Sequence, residues 1–338
     1  MKPSAQVQTS NGLWADWAPQ ARPLFRWAGG KRRFIMGYSN RFPEFKGSYH
    51  EPFAGSLAVY FWMASNRAEP LRARLSDVNT RLIRCYQEIK LQPGEVWESL
   101  ADLKGAFIST PVDKRPDFYR RVRNDFNANA PRGDAARFIF LMAAGWNGVY
   151  RTNSSGEFNV PYGGEKSVEG RPTSDRVPVI PTEDDILAAS VVFQSADLRA
   201  CSWETSLTAP SPGDFVFLDP PYYSDSGKQA AIYEAGKFFG LSEHERLARA
   251  LVDLQSRHVD FMLTNSYSKQ MHALYSDHGL SVEIVSARRS ISSKIETRGN
   301  EGELIVTPKR DFQVKDQNNV NFDIDMILKW RERGNDND

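Results

Sequence analysis

The stretch Phe215-Val216-Phe217-Leu218-Asp219-Pro220-Pro221-Tyr222 decides how this sequence folds. Four apolar residues stopped by an acid and two prolines read as a buried strand ending in a rigid turn. In open α/β sheets ligands sit outside the carboxyl ends of the strands, so this turn predicts the place of the chemistry. Pro220 and Pro221 lack an N–H and offer carbonyls but no donors. The Asp219 carboxylate and the Pro220 carbonyl can each accept one hydrogen of an –NH2 group, and Tyr222 can stack on the ring that carries it. A strand-ending turn without a function is the alternative, but four specified residues coincide by chance at roughly one position in 10^5. The turn alone does not name a reaction.

Upstream, Ser48-Tyr49-His50-Glu51-Pro52-Phe53-Ala54-Gly55-Ser56 leads into the apolar run Leu57-Ala58-Val59-Tyr60-Phe61-Trp62-Met63. Strand, glycine-containing loop and helix form the first unit of a nucleotide-binding α/β fold, although one glycine does not meet the dinucleotide fingerprint. About twenty residues on, a second short strand over 74–79 carries Asp77, where such folds hold ribose hydroxyls. Asp77 can equally cap the helix that follows, through Leu82, Ile83 and Tyr86. Before these units, Phe25-Arg26-Trp27-Ala28-Gly29-Gly30-Lys31-Arg32-Arg33 sets a glycine pair between aromatic and basic residues. Lys31 suits a carboxylate or phosphate, and a basic surface turn is the competing interpretation.

Between the second and third sheet units the pattern is helical, from 93 to about 141, and basic, with Lys114, Arg115, Arg120, Arg121, Arg123, Arg132 and Arg137. Such a segment suits a phosphate backbone or a solvated helix face. A β-hairpin is expected over 145–164, where a Ser/Gly turn joins aromatic-rich arms whose Asn and Arg are residue types that read base edges. A Gly/Pro-rich linker is expected over 164–181, a strand over 191–198 with Asp197 near its end, and a lid over 224–239. A helix over 241–257, a strand over 260–265 and a closing antiparallel pair over 281–286 and 303–308 complete the pattern. The loop Arg288-Arg289-Ser290-Ile291-Ser292-Ser293-Lys294 is basic and hydroxyl-rich, fit for phosphates.

The whole composition narrows the class. The chain has 338 residues, a net charge of +1, 25% charged and 41% hydrophobic residues, an ordinary globular balance. Cys85 and Cys201 fit no metal or redox spacing, and the histidines are scattered, so no metal site is expected. The polar residues 1–10 hold no secretory apolar core, and no run is long enough to cross a membrane, which predicts a cytoplasmic protein.

In order, residues 27–31, 51–56, 76–79, 148–151 with 156–163, Asp219–Tyr222 and 288–293 resemble the Dam-type (alpha-class) DNA adenine-N6 methyltransferases. The likeness runs from about 24 to 308. It implies an α/β fold: a Rossmann-like class I methyltransferase sheet with an inserted, mainly helical DNA target-recognition domain. The corresponding division is an arm over 1–22, a methyltransferase domain over 23–92 and 185–314, an insertion over 93–184 and a polar tail over 315–338. The resemblance further implies S-adenosyl-L-methionine as cofactor, bound by Trp27, Lys31, the loop Glu51, Pro52, Phe53, Ala54 and Gly55, and by Asp77, Asp197 and Asp219. Lys31 would face the methionine carboxylate of that cofactor. Asp219, Pro220 and Tyr222 would be catalytic. Trp146, Asn147, Val149, Arg151 and Pro161 would enter double-stranded DNA, and Arg288, Arg289, Ser290 and Ser292 would hold its phosphates.

Leu57 departs from the pattern, standing where the family usually has a second glycine. Arg151 and Pro161 fit the GATC methylases, so GATC is the expected target. A cognate restriction endonuclease is an expected type of partner, and the sequence is silent on oligomeric state. Other readings stay open: methylation of adenine in RNA or of a protein amide, and a sequence-specific DNA-binding protein on a catalytically weak or inactive scaffold.

Overall fold

The computed structural model describes residues 20–128, 134–164, 177–223, 239–286 and 302–309. Seven strands build one sheet: β1 (Tyr49–Glu51), β2 (Ala73–Asp77), β3 (Ala196–Ala200), β4 (Phe215–Leu218), β5 (Asp260–Ser266), β6 (Ser281–Ser286) and β7 (Gly302–Thr307). Their order is β3-β2-β1-β4-β5-β7-β6. β3, β2, β1, β4 and β5 run parallel, while β7 lies antiparallel between β5 and β6. Chain order therefore moves outward in one direction from β1 and in the other from β4. The crevice at the carboxyl ends of these two neighbours is the topological switch point, where such sheets bind ligands.

Burial explains the strand sequences. Every residue of β4 is buried, as a central parallel strand covered on both faces requires. Helix α1 (Arg32–Tyr38) precedes β1, and α2 (Ala58–Ser65) follows it. All eight residues of α2 are buried, so it is apolar around its circumference rather than along one stripe. After β2 come α3 (Thr80–Leu91), α4 (Pro93–Ser109), α5 (Arg115–Asn127) and α6 (Asp134–Ala144). Pro93 and Pro116 stand in the first turns of α4 and α5, where a missing N–H costs nothing. Phe107, Tyr119, Phe126 and Phe138 from these helices share one buried cluster with Tyr86 of α3 and Phe215 of the sheet.

α7 (Glu183–Phe193) returns the chain to the sheet and opens with a capping box between Thr182 and Asp185. Arg22 fastens Asp185 from the amino-terminal side at 2.8 and 2.9 Å, and Ala21 is fully buried, so the described end of the amino-terminal segment is packed. The strand expected over 191–198 is instead the end of α7 followed by β3. Val191-Val192-Phe193 is β-branched and apolar, but the upstream capping box commits it to the helix. α8 (Trp203–Leu207), α9 (Leu241–Ser256) and α10 (Lys269–Asp277) complete the described elements. Among the described residues no helix is long and apolar enough to cross a membrane.

Candidate active site

The loop after β1 is shaped by two left-handed residues. Gly55 has φ +46°, and a Cβ there would lie 3.0 Å from the Trp27 ring, so only glycine lets the ring close over the loop. Leu57 also has positive φ, +57°, while fully buried at the start of α2. Leu57, expected to stand in place of a second glycine, thus adopts a left-handed conformation of the kind glycine favours. The Gly55 N–H donates to Asp77 Oδ2 at 3.1 Å, and the Tyr86 hydroxyl donates to the Gly55 carbonyl at 2.6 Å.

Asp77, at the end of β2, holds the Asn79 N–H with its other oxygen at 2.9 Å. It does not cap α3: Asn79 does, accepting from the Leu82 N–H at 3.1 Å. The Asp77 carboxylate is buried and pinned to backbone on both oxygens. Glu51 ends β1 in full burial and accepts the Tyr49 hydroxyl at 2.7 Å. Burial pushes its carboxyl up to about 8, with the nearby Asp219 charge adding to the effect.

Residues 27–31, Glu51, residues 53–59, Phe217 and Asp219 line one pocket. The structure therefore gathers Trp27, Lys31, Glu51, Phe53, Ala54, Gly55 and Asp219. Pro52 is buried in the same loop, and Asp77 braces the loop through Gly55 without lining the pocket. Asp197 is not brought in. It pairs with Arg74 in the sheet register, whereas Asp77 pairs with Ala200, so Asp197 lies back from the carboxyl edge. Its side chain is 42% exposed and ion-paired with Arg199 at 2.7 Å. Sequence reasoning misplaced it because the strand begins five residues later than expected.

Asp219 follows β4 directly. Its Oδ1 takes the Lys31 ammonium at 2.7 Å and the Thr264 hydroxyl at 3.0 Å. Lys31 is buried, donates to the Gly29 carbonyl at 3.1 Å and to the Tyr222 hydroxyl at 2.7 Å, and lies 4.7 Å from the Tyr222 ring centroid. Desolvation raises the Asp219 pKa, and the Lys31 cation opposes that rise. Lys31 was expected to face the methionine carboxylate; here its partner is Asp219. The turn is held from β5, where Asn265 Oδ1 accepts the Tyr223 N–H at 3.3 Å and Ser266 donates to the Tyr223 carbonyl at 3.0 Å.

One residue of this site escaped the sequence. Glu303, on β7, accepts the Tyr222 hydroxyl at 2.5 Å and lies 3.7 Å from the Lys31 ammonium. Nothing in Gly302-Glu303-Leu304-Ile305-Val306-Thr307 separates it from any polar residue of an alternating strand, and its partner is 81 residues away.

The segment 145–164 is an irregular version of the expected hairpin. Its arms meet at two isolated antiparallel bridges, Gly145 with Tyr162 and Thr152 with Phe158. A single turn of 3-10 helix at Trp146–Gly148, with Asn147 at φ +55°, interrupts one arm. Asn153 Oδ1 closes the tip by accepting the Ser155 and Glu157 N–H groups at 3.0 and 2.9 Å. Asn147, Arg151 and Pro161 are exposed, while Trp146 and Val149 are partly buried against the core. Arg151 is held by Asn159 Oδ1 at 2.8 Å. Tyr150 stacks on Trp27 at 5.7 Å and on Phe138 at 5.7 Å, so the hairpin base touches the pocket wall. Arg288, Arg289, Ser290 and Ser292, and all but the last residue, Phe239, of the expected lid over 224–239, lie outside the described residues.

The sequence profile of the D12 class N6 adenine-specific DNA methyltransferases matches residues 27–291. The Type II methyltransferase M.MjaIII of Methanocaldococcus jannaschii is 32% identical over 290 residues, covering 82% of this chain and 96% of its own length. The DNA adenine methylase of Haemophilus influenzae is 30% identical, covering 84% of this chain and 92% of its own. The DNA adenine methylase of Escherichia coli K12 is 29% identical, covering 85% and 95%.

Proposed function

We propose that this chain, which belongs to the D12 class of N6 adenine-specific DNA methyltransferases, works through Asp219, Pro220 and Tyr222. S-adenosylmethionine, the methyl donor of this class, supplies when bound a methyl group carried on cationic sulfur. The pocket fits such a molecule: Asp219 offers it a carboxylate, and a bound cation would favour the ionised form of Glu51, whose proton burial otherwise retains. Gly29 opens the side toward Asp219, whose Oδ2 is the nearest atom, 3.9 Å from where a Cβ would stand. Trp27, Glu51 and the 53–57 loop would hold the ligand, with Asp77 bracing the loop.

The adenine N6 lone pair is delocalised into its ring and is a weak nucleophile. Asp219 and the Pro220 carbonyl, each accepting one N6 hydrogen, would favour a pyramidal nitrogen with its lone pair turned outward. Tyr222 would hold the ring by stacking. Transfer requires one N6 hydrogen to leave, and Asp219, its pKa raised by burial, is the carboxylate placed to receive it. The observation that carries this role is the split of Asp219: Oδ1 is filled by Lys31 and Thr264, and among the described residues Oδ2 takes no hydrogen bond.

Because an adenine inside a duplex cannot present N6, the base must be flipped, at a cost of a few kcal/mol. We assign the segment 93–184 to target recognition, with Asn147, Arg151 and Pro161 facing duplex DNA and GATC as the target. A cognate restriction endonuclease is the proposed partner, in keeping with the Type II name of the M. jannaschii relative. The test is Asp219→Ala, assayed by tritium transfer from labelled S-adenosylmethionine to unmethylated duplex DNA. A fall of about 10^2–10^3 in kcat is expected, as for loss of one prealigned group. Near-normal transfer would remove Asp219 from the chemistry. Mapping the modified adenines in the wild-type reaction tests GATC directly.

A further inference from the structure

The turn after β4 and strand β7 converge on one ammonium group. Lys31 Nζ contacts Asp219 Oδ1 and the Tyr222 hydroxyl, both at 2.7 Å, with Glu303 Oε1 at 3.7 Å. The direction of each hydrogen bond is fixed by chemistry. Lysine only donates, so the Tyr222 oxygen accepts from Lys31 and must give its one hydrogen elsewhere. It gives it to Glu303, at 2.5 Å. The side chain of Glu303 is 16% exposed, and its backbone pairing with β5 and β6 does not use the carboxylate.

We propose that Glu303 is a positioning residue for methyl transfer, fixing the Tyr222 ring and sharing the Lys31 cation with Asp219. Without that carboxylate, the charged acceptor remaining in the cluster is Asp219. The Tyr222 hydroxyl and the undivided Lys31 charge would then compete with the adenine amino group for it. Glu303 thus keeps the catalytic carboxylate available and its stacking platform still. This rests on the roles proposed above for Asp219 and Tyr222.

The same geometry gives a sign for pH dependence. The charged and titratable groups facing Asp219 are Lys31 from the segment before α1, Tyr222 from its own turn, Glu303 from β7 and Glu51 from β1. The Glu303 charge raises the Asp219 pKa and Lys31 lowers it. Removing the Glu303 charge therefore lowers the pKa at which Asp219 becomes active.

The experiment compares wild type, Glu303→Gln, Glu303→Asp, Glu303→Ala and Asp219→Ala in steady-state methylation of duplex DNA across pH. Binding of S-adenosylhomocysteine to each variant serves as the folding control. Glu303→Ala should lose about ten- to hundredfold in kcat, as for a hydrogen bond to a charged group, with KM for DNA changed less than about threefold. Glu303→Gln keeps an acceptor for the hydroxyl, so it should lose less kcat while its acidic limb in kcat/KM moves to lower pH; Glu303→Asp should restore part of the rate. An unmoved limb in a Glu303→Gln protein that binds S-adenosylhomocysteine would overturn the proposal, even if Glu303→Ala fails to fold. If Asp219→Ala also keeps its activity, the role of Asp219 itself falls. If Asp219→Ala is inactive and the Glu303 variants match wild type, only the role of Glu303 falls.

Discussion

Replacing Leu57 separates two effects that normally act together. Leu57 is fully buried and left-handed at the start of α2. Leu57→Ala keeps the backbone conformation and deletes the side chain, which for buried leucines costs about 2–5 kcal/mol. Leu57→Gly deletes the same packing but relieves the left-handed strain, worth about 1–2 kcal/mol for an L-residue. It loosens the unfolded chain in exchange, at about 0.4–1 kcal/mol. The net expectation is that the glycine variant is more stable than the alanine variant by about 0.5–1 kcal/mol. At a helical position alanine would win by a similar margin. Urea unfolding, read as midpoint at constant slope, measures all three proteins. The expected order is wild type, then glycine, then alanine. An alanine variant as stable as the glycine one would refute a left-handed residue 57. A glycine variant above wild type would show that the leucine side chain contributes less than the strain it imposes.

Two further outcomes follow from the same site. Burial raises Glu51 to about 8, so the folded chain holds a proton that the unfolded chain releases above the ordinary carboxylate range. Stability of the ligand-free protein should therefore fall as pH rises from about 4.5 to about 8, and Glu51→Gln should flatten that slope in denaturant melts; an unchanged slope would exclude Glu51 as its source. Arg151→Ala should lose about 1–3 kcal/mol of discrimination between target and near-target sequences, read from methylation of substrates with single base changes, and unchanged selectivity would take Arg151 out of recognition.

Much of the site was legible because its parts are local. Asp219-Pro220-Pro221-Tyr222 and the 51–57 loop each carry their geometry in neighbouring residues, a proline pair in one and a glycine in the other. The same applies to the β2 strand that ends at Asp77. The failures are non-local. Val191-Val192-Phe193 looks like a strand until the upstream Thr182 and Asp185 capping box is given its weight, and that slip carried Asp197 to the wrong end of β3. Lys31 lines the pocket, but its choice of Asp219 depends on how α1 sits against β4. Glu303 was beyond reach altogether, since only the sheet order, with β7 beside β5, sets it against Tyr222. The expected hairpin became irregular because Asn147 and Gly148 both adopt positive φ, which breaks the pairing of that arm.

That irregular hairpin has a further consequence for how such an enzyme can change over generations. Its inward residues, Tyr150, Phe158, Val160 and Tyr162, are packed against α4, α5 and α6 and the Trp27 wall, through Phe107, Tyr119, Phe126 and Phe138. Its outward residues, Asn147, Arg151, Glu157 and Pro161, are exposed. The two sets interleave along one short segment yet answer to different demands. Mutation can rewrite the outward set freely without unseating the fold or the pocket, whereas a change in the inward set disturbs both at once. On the DNA-facing role proposed for the outward set, a new recognition sequence would be a few surface substitutions away, while the catalytic half of the molecule is inherited intact.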